Sequence, residues 1–280
     1  MPKWNAHRIE VQPGHAWHVV DSKARRPGKQ TLVFIHGRFS SHDNWEKYME
    51  YYRRKGHRVI AYDLDGHGKS TGDGKLTLEE HAEGLKKILD ELVVKKSVLI
   101  GHSDGGVIAQ QFAADHPEHV LALALINSYR QLPPDTRKMI KKLIEIHEEA
   151  LEGLSIRDRL ARQKLKLRAL ELLTEGRFGL RDLIRLFNPR QKGTLTALKN
   201  HSLAFNEVTA PLIPRPPPLC VLHTQQDFLV TRKPVDDFRQ AYDDVETHIL
   251  NKNTHFPHNR YPEWIKERLD AFLEGRAPSS

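Results

Sequence analysis

Short, nearly continuous apolar runs recur along the chain and are rich in β-branched side chains. They are TLVFI at 31–35, HRVIAY at 57–62, SVLI at 97–100, VLALALI at 120–126, LCVL at 219–222 and VETHIL at 245–250. Runs this short and this apolar read as strands of a parallel sheet covered on both faces. Between them the period lengthens. Leu78, Ala82, Leu85, Leu89 and Leu92 recur at helical spacing over 77–92, and Thr77 with Glu80 forms a capping-box pattern at the start. Further helices are predicted over 104–115 and 262–273. Near the N-terminus, HRIEV and HAWHVV flank Pro13-Gly14 and read as an antiparallel hairpin. Strands alternating with helices in this way indicate an α/β protein, a mostly parallel sheet with helices on both faces.

The alternation stops after Asn127. From about Gln131 to Glu207 the pattern is helical, with helices predicted over 136–151, 155–174, 179–187 and 192–204. Ile140, Leu143, Ile144 and Leu151 line one side of the first, and Ser155 is placed to cap the second. PLIPRPPPL at 211–219 then reads as a stiff, extended return. The expected organisation is a core of residues 1–128 and 216–280, with a helical cap, residues 129–215, inserted between two core strands.

Composition narrows the class. The chain has 280 residues, 39% hydrophobic, enough for one large domain carrying an insertion. No apolar run approaches the roughly 20 residues of a membrane span. The N-terminal residues lack the apolar middle of a secretory signal, and the single cysteine, Cys220, allows no internal disulfide. These features predict a cytoplasmic protein. The net charge is +8, and all of it falls between Tyr129 and Arg215, which hold 18 Lys and Arg against 10 Asp and Glu. The excess fits a solvated, basic helical face. The alternative is an attraction for anionic acyl groups or an anionic surface. Aromatics are sparse in the segment, so no stacking platform for nucleic acid is expected.

The candidate chemistry begins at Gly101-His102-Ser103-Asp104-Gly105, a G-x-S-x-G pentapeptide. Alone it is a weak signal. Here it follows the SVLI strand and precedes a predicted helix, the context of a nucleophile on a sharp strand-to-helix turn. A serine hydroxyl needs a base, and the base needs an acid to orient it. In a sheet of this kind both are expected after later strands, acid first. LCVLHTQQDFLV supplies Asp227 and VETHILNKNTHFPH supplies His255. His258 is the rival base, three residues on. His248 is expected inside a strand, His223 to be structural, and Asp236, Asp237, Asp243 and Asp244 to be solvated. An oxyanion requires two backbone N–H donors. The residue after the serine, Asp104, is one. The loop HGRFSSHDNW supplies the other, Arg38, with Phe39 second. Phe39 and His102 are expected at the substrate. The Asp104 side chain is expected to cap its helix or face the pocket entrance. None of the 17 histidines sits at a spacing that argues for a metal site.

With those residues in place the chain resembles the α/β-hydrolase fold, of the esterase, epoxide hydrolase and C–C hydrolase type. The matching pieces are His36-Gly37 followed by Ser41 and Trp45, DLDGHGKS at 63–70, GHSDGG at 101–106, QQD at 225–227 and THFPH at 254–258. The resemblance implies an eight-stranded sheet, a helical cap between strands six and seven, and a Ser103–His255–Asp227 triad working without a cofactor. Two positions depart from it. Arg38 stands where many relatives carry an apolar or aromatic residue, and Thr254 where glycine usually precedes the histidine. An aspartate nucleophile, as in dehalogenases and epoxide hydrolases, is replaced here by Ser103. That predicts an acyl-enzyme and a small-molecule ester substrate. Carbon–carbon bond cleavage, cyanohydrin cleavage and ligand sensing are the alternatives on the same residues.

Overall fold

The computed structural model describes residues 4–23, 26–138, 140–142, 145, 195–227, 229–230 and 233–276. Eight strands form one sheet: β1 (Asn5–Gln12), β2 (His15–Asp21), β3 (Thr31–Ile35), β4 (Arg58–Tyr62), β5 (Ser97–His102), β6 (Val120–Ile126), β7 (Leu219–Thr224) and β8 (Val245–Leu250). Their order is β1-β2-β4-β3-β5-β6-β7-β8. The β1–β2 hairpin enters antiparallel and β2 pairs antiparallel with β4; every later pairing is parallel. Each apolar run named from the sequence is a strand. β8 alone is half-buried along its length. It is one edge of the sheet, where Val245 and Ile249 pack inward while Glu246 and His248 pair with each other.

Alternation along each strand feeds two cores. In β3, Val33 and Ile35 face one cluster, and Leu32 and Phe34 face the other. The first cluster is closed by α2 (Leu78–Glu91) and α3 (Asp104–Asp115). The second is closed by α1 (Glu46–Arg54), through Tyr48, Met49 and Tyr52, and by the C-terminal helix 262–275, through Ile265, Leu269 and Phe272. The Thr77–Glu80 capping box forms as expected, with both reciprocal bonds present. α1 has no counterpart in the sequence reading. Its 9 residues are mostly polar, and only Tyr48, Met49 and Tyr52 are buried. Among the described residues no helix is long and apolar enough to cross a membrane.

The insertion is described only at its two ends. Helix begins at 134, two residues earlier than expected, because Pro134 suits a first helical turn. The returning end carries α4 (Leu195–Asn206). The two ends are joined: Gln131 and Thr209 form an antiparallel bridge, and the Ala210 N–H donates to the Arg130 carbonyl at 2.7 Å. The helices expected over 155–174 and 179–187 lie outside the described residues. Past β7 the chain adds α5 (Lys233–Ala241), α6 (Pro257–Arg260) and α7 (Pro262–Gly275).

Candidate active site

Ser103 caps α3 at the end of β5 with φ 52° and ψ −124°. A left-handed, non-glycine backbone is strained and persists only where its surroundings enforce it. The enforcement is local. The Ser103 N–H donates to the Ile126 carbonyl at 3.1 Å, and Ser128 Oγ donates to the Ser103 carbonyl at 2.8 Å. A Cβ on Gly101 would lie 2.5 Å from the Gly105 carbonyl oxygen, so the turn closes only over a glycine.

Strand order then gathers the partners. β5, β6, β7 and β8 are neighbours, and Ser103, Asn127, Asp227 and His255 all follow their C-terminal ends. Ser103 Oγ lies 3.0 Å from His255 Nε2, and His255 Nδ1 lies 2.7 Å from Asp227 Oδ2. All three side chains are buried. Asp227 Oδ1 accepts the backbone N–H groups of Leu229 and Val230 at 2.8 and 2.9 Å. Burial would raise the Asp227 pKa, but the adjacent His255 outweighs it and keeps the carboxyl below its ordinary value. An ionised acid holding one imidazole nitrogen leaves the other as the acceptor for a hydroxyl proton, the geometry of a general base beside a nucleophile.

Asn127 escaped the sequence reading. Its Nδ2 is within 2.6 Å of Asp227 Oδ2, 2.9 Å of Thr224 Oγ1 and 3.0 Å of the Thr254 carbonyl, so it ties the acid loop to the histidine loop. Its φ is 42°, a conformation asparagine tolerates better than most side chains. An asparagine closing the VLALALI run was the available signal. Thr254 fits its position: Oγ1 accepts the Phe256 N–H at 3.0 Å and fixes the backbone around His255. The rival His258 stacks on Trp45 at 4.8 Å, while His255 holds the serine.

Two expected placements differ. His102 lies behind the serine and does not line the cavity; its Nε2–H donates to the His255 carbonyl at 2.8 Å. Burial and the neighbouring His255 lower its pKa to about 3, so the ring is a neutral brace. The Asp104 side chain is buried, 2% exposed. It turns inward to Arg38, Tyr129 and His201, because a buried carboxylate needs compensating donors. Tyr129 and His201 come from the two ends of the insertion, and sequence spacing gave no sign of either.

Beside Ser103 opens a cavity. Arg38, Phe39, Asp104 and His255 surround the serine, and Leu132, Ile140, Leu229, Val230 and Phe256 supply an apolar wall. The Arg38-Phe39 loop is held tight against the turn: a Cβ on Gly37 would stand 2.8 Å from Ser103 Cβ, and Phe39 has φ 57°. Asp104 opens α3, so its N–H is among the donors that a helix leaves unpaired in its first turn. Among the described residues three groups of His, Cys, Asp and Glu could share a cation. They are His18, His42 and Asp63; Cys220, Glu246 and His248; and His15, Asp65 and Asp73, none of which includes a residue of this site.

Comparison with known proteins follows the same lines. The chain is 30% identical over 170 residues to the dihydrolipoyllysine-residue acetyltransferase component of the acetoin cleaving system of Cupriavidus necator, covering 54% of this chain and 45% of that one. It is 33% identical over 105 residues to a bifunctional esterase/perhydrolase of Acinetobacter calcoaceticus, covering 37% of each. Other relatives are a 2-hydroxy-6-oxononadienedioate/2-hydroxy-6-oxononatrienedioate hydrolase of Paraburkholderia phymatum and epoxide hydrolase 4 of Mus musculus. The chain spans less than half the length of these curated relatives. Among solved structures, one from work on carboxylesterases of the archaeon Nitrososphaera gargenis superposes with a TM-score of 0.74 at 20% identity, over 96% of this chain and 98% of that one, a likeness of fold. Residues 30–259 match the model of the α/β hydrolase fold. That span runs from β3 to the loop of His255 and holds the whole site, so the chain belongs to the α/β hydrolase fold family.

Proposed function

We propose that this protein is a serine hydrolase of carboxylic esters, and the observation that carries the reading is the 3.0 Å approach of Ser103 Oγ to His255 Nε2 on a strained turn, with Asp227 behind the imidazole. His255 takes the Ser103 proton as Oγ attacks the acyl carbon. The backbone N–H groups of Asp104 and Arg38 receive the oxyanion. Collapse returns the proton to the departing alcohol and leaves an acyl group on Ser103. A water, deprotonated by His255, attacks that ester and releases the acid. Asp227 holds the imidazole in the productive tautomer and stabilises its charged form. Acyl transfer to water balances with these groups alone and calls on no cofactor.

The apolar wall of Leu132, Ile140, Leu229, Val230 and Phe256 favours an ester with an uncharged, apolar acyl or alcohol part. The expectation of an anionic substrate rested on the basic insertion, most of which lies outside the described residues.

The test is turnover of short p-nitrophenyl esters by wild type and Ser103→Ala, with fluorophosphonate labelling read by intact mass. We expect label on wild type alone and a loss of about 10³-fold or more in kcat for Ser103→Ala. Unchanged turnover in Ser103→Ala overturns the reading. Labelling without repeated turnover indicates a ligand sensor instead, and preferential cleavage of vinylogous diketones or cyanohydrins indicates the C–C hydrolase or lyase alternatives.

A further inference from the structure

The two residues assigned above to hold the oxyanion with their backbones are also joined through their side chains. Arg38 Nε donates to Asp104 Oδ2 at 2.8 Å, and Arg38 Nη2 to Oδ1 at 3.4 Å. The Arg38 side chain is 8% exposed and that of Asp104 2%. Two further donors hold the same carboxylate. Tyr129 OH reaches Oδ1 at 2.5 Å and His201 Nε2–H reaches Oδ2 at 3.1 Å. Burial would raise the Asp104 pKa, yet Arg38 and His201 outweigh it and keep the carboxyl far below the usual carboxylate range. The pair is therefore ionic.

Stability is a poor reason for such a pair. A buried ion pair is often no more stabilising than an apolar pair of the same shape, because both charges lose their water. A forked guanidinium–carboxylate contact does supply fixed distance and orientation. Here it links two backbones that no sheet pairing joins directly: the turn after β3, which carries the strained Phe39, and the first turn of α3.

We propose that the Arg38–Asp104 ion pair is a positioning clamp that sets the separation of the two oxyanion-binding N–H groups, with Tyr129 and His201 locking the carboxylate in register. The inference rests on the acyl-transfer reading above. Electrostatic stabilisation of an oxyanion depends on donors that are already in place when charge develops. Cutting the clamp lets the Arg38 turn relax. Transition-state stabilisation is lost, while ground-state binding in the apolar cavity is not, so the defect falls on kcat and spares KM. Tyr129 and His201 come from opposite ends of the insertion, so docking of those ends onto the core completes the clamp.

The test uses the full chain with Arg38→Met, Arg38→Lys, Asp104→Asn and the double variant Arg38→Met/Asp104→Asn. Two rates are read: steady-state ester hydrolysis and labelling of Ser103 by a fluorophosphonate, whose phosphoryl oxygen occupies the same donors and needs no ester substrate. Arg38→Met should lower kcat and the labelling rate by about 10²-fold, with KM within about 3-fold of wild type. Arg38→Lys, which keeps a charge but cannot fork, should recover part of that loss. The double variant leaves no lone buried charge. It should fold as wild type does by melting temperature and be no slower than the slower single variant, the non-additivity expected of one shared device. A folded Arg38→Met or double variant with kcat and labelling within about 3-fold of wild type overturns the clamp, as does a loss confined to KM. Should Arg38→Met fail to fold, the double variant decides. Failure of the esterase reading looks different: wild type and Ser103→Ala would not differ towards the ester, whereas the labelling rates of the Arg38 variants would still report on the clamp.

Discussion

Asn127 and Asp227 meet across the end of the sheet, with the amide Nδ2 lying 2.6 Å from the carboxylate oxygen that also receives the Nδ1–H of His255. One side chain from β6, the strand between those of the serine and the acid, thereby fixes the direction in which the acid presents its charge. The same amide reaches the Thr254 carbonyl, one residue before His255.

On the proposed esterase reading, removing that amide should slow turnover without touching Ser103, His255 or Asp227. Asn127→Gly keeps the left-handed backbone free of strain and deletes only the side chain. We expect kcat to fall by about 10-fold or more and stability by about 1–3 kcal/mol, since buried partners are left unpaired. Steady-state kinetics and urea unfolding check both. A variant with wild-type kcat would show that the backbone N–H groups of Leu229 and Val230 orient Asp227 without help.

Stability should decline as the pH falls below neutrality. Burial holds the imidazoles of His36 and His102 neutral, with pKa values of about 4 and about 3. In the unfolded chain the same groups take a proton near 6.5. Below that pH the unfolded state binds more protons than the folded one, so stability is full above about 6.5 and is lost as the pH drops towards the folded values. Asp63 adds the same sign lower down: burial would raise it, but hydrogen bonds from His42 outweigh this and hold it at about 2. A shift the size of that of His36 is worth on the order of 3 kcal/mol when fully expressed. Urea midpoints measured from pH 7.5 to pH 4 should fall continuously; a flat midpoint between pH 7 and pH 5 would contradict this account.

On the proposed esterase reading, filling the apolar wall should shorten the acyl chain that the cavity accepts. Leu132→Trp adds bulk to the cavity wall near Ser103. We expect kcat/KM for a decanoate ester to fall by about 10-fold or more relative to acetate, because the loss is one of room for the acyl chain and leaves the reacting groups intact. An unchanged ratio would place the acyl chain elsewhere.

Gly101→Ala should damage folding more than its size suggests. The new methyl would meet the Gly105 carbonyl oxygen and Gly106 Cα at 2.5 Å, both backbone atoms without a rotamer to yield. A cost of about 3 kcal/mol or more is expected, at the upper end for overpacking. Thermal unfolding measures it, and a melting temperature equal to that of wild type would show that the turn can open.

What the sequence disclosed, and what it hid, divides along a physical line. β3 and β6 coincide with TLVFI and VLALALI because a strand buried in a parallel sheet needs an unbroken apolar run. Ser103, Asp227 and His255 could be found together because each follows a strand end in a fixed order. Asn127, Tyr129 and His201 could not. Their partners lie 100, 25 and 97 residues away, and a buried polar contact of that span leaves no periodicity behind. The buried partners of Asp104 and His102 went unread for the same reason. Adjacency to Ser103 suggested solvent or substrate, whereas packing turned both towards protein donors and acceptors.

The bridge between Gln131 and Thr209 has a consequence for how such a protein can change. The chain leaves and re-enters the core at one neck, which closes the segment between into a loop. The entropic cost of lengthening a closed loop grows only slowly with its length. Lengthening the segment beyond the neck should therefore cost little and leave the path of β6 into β7 in place. The described ends limit that freedom: Leu132, Ile140 and Phe205 pack into the core, and His201 brings a donor to Asp104.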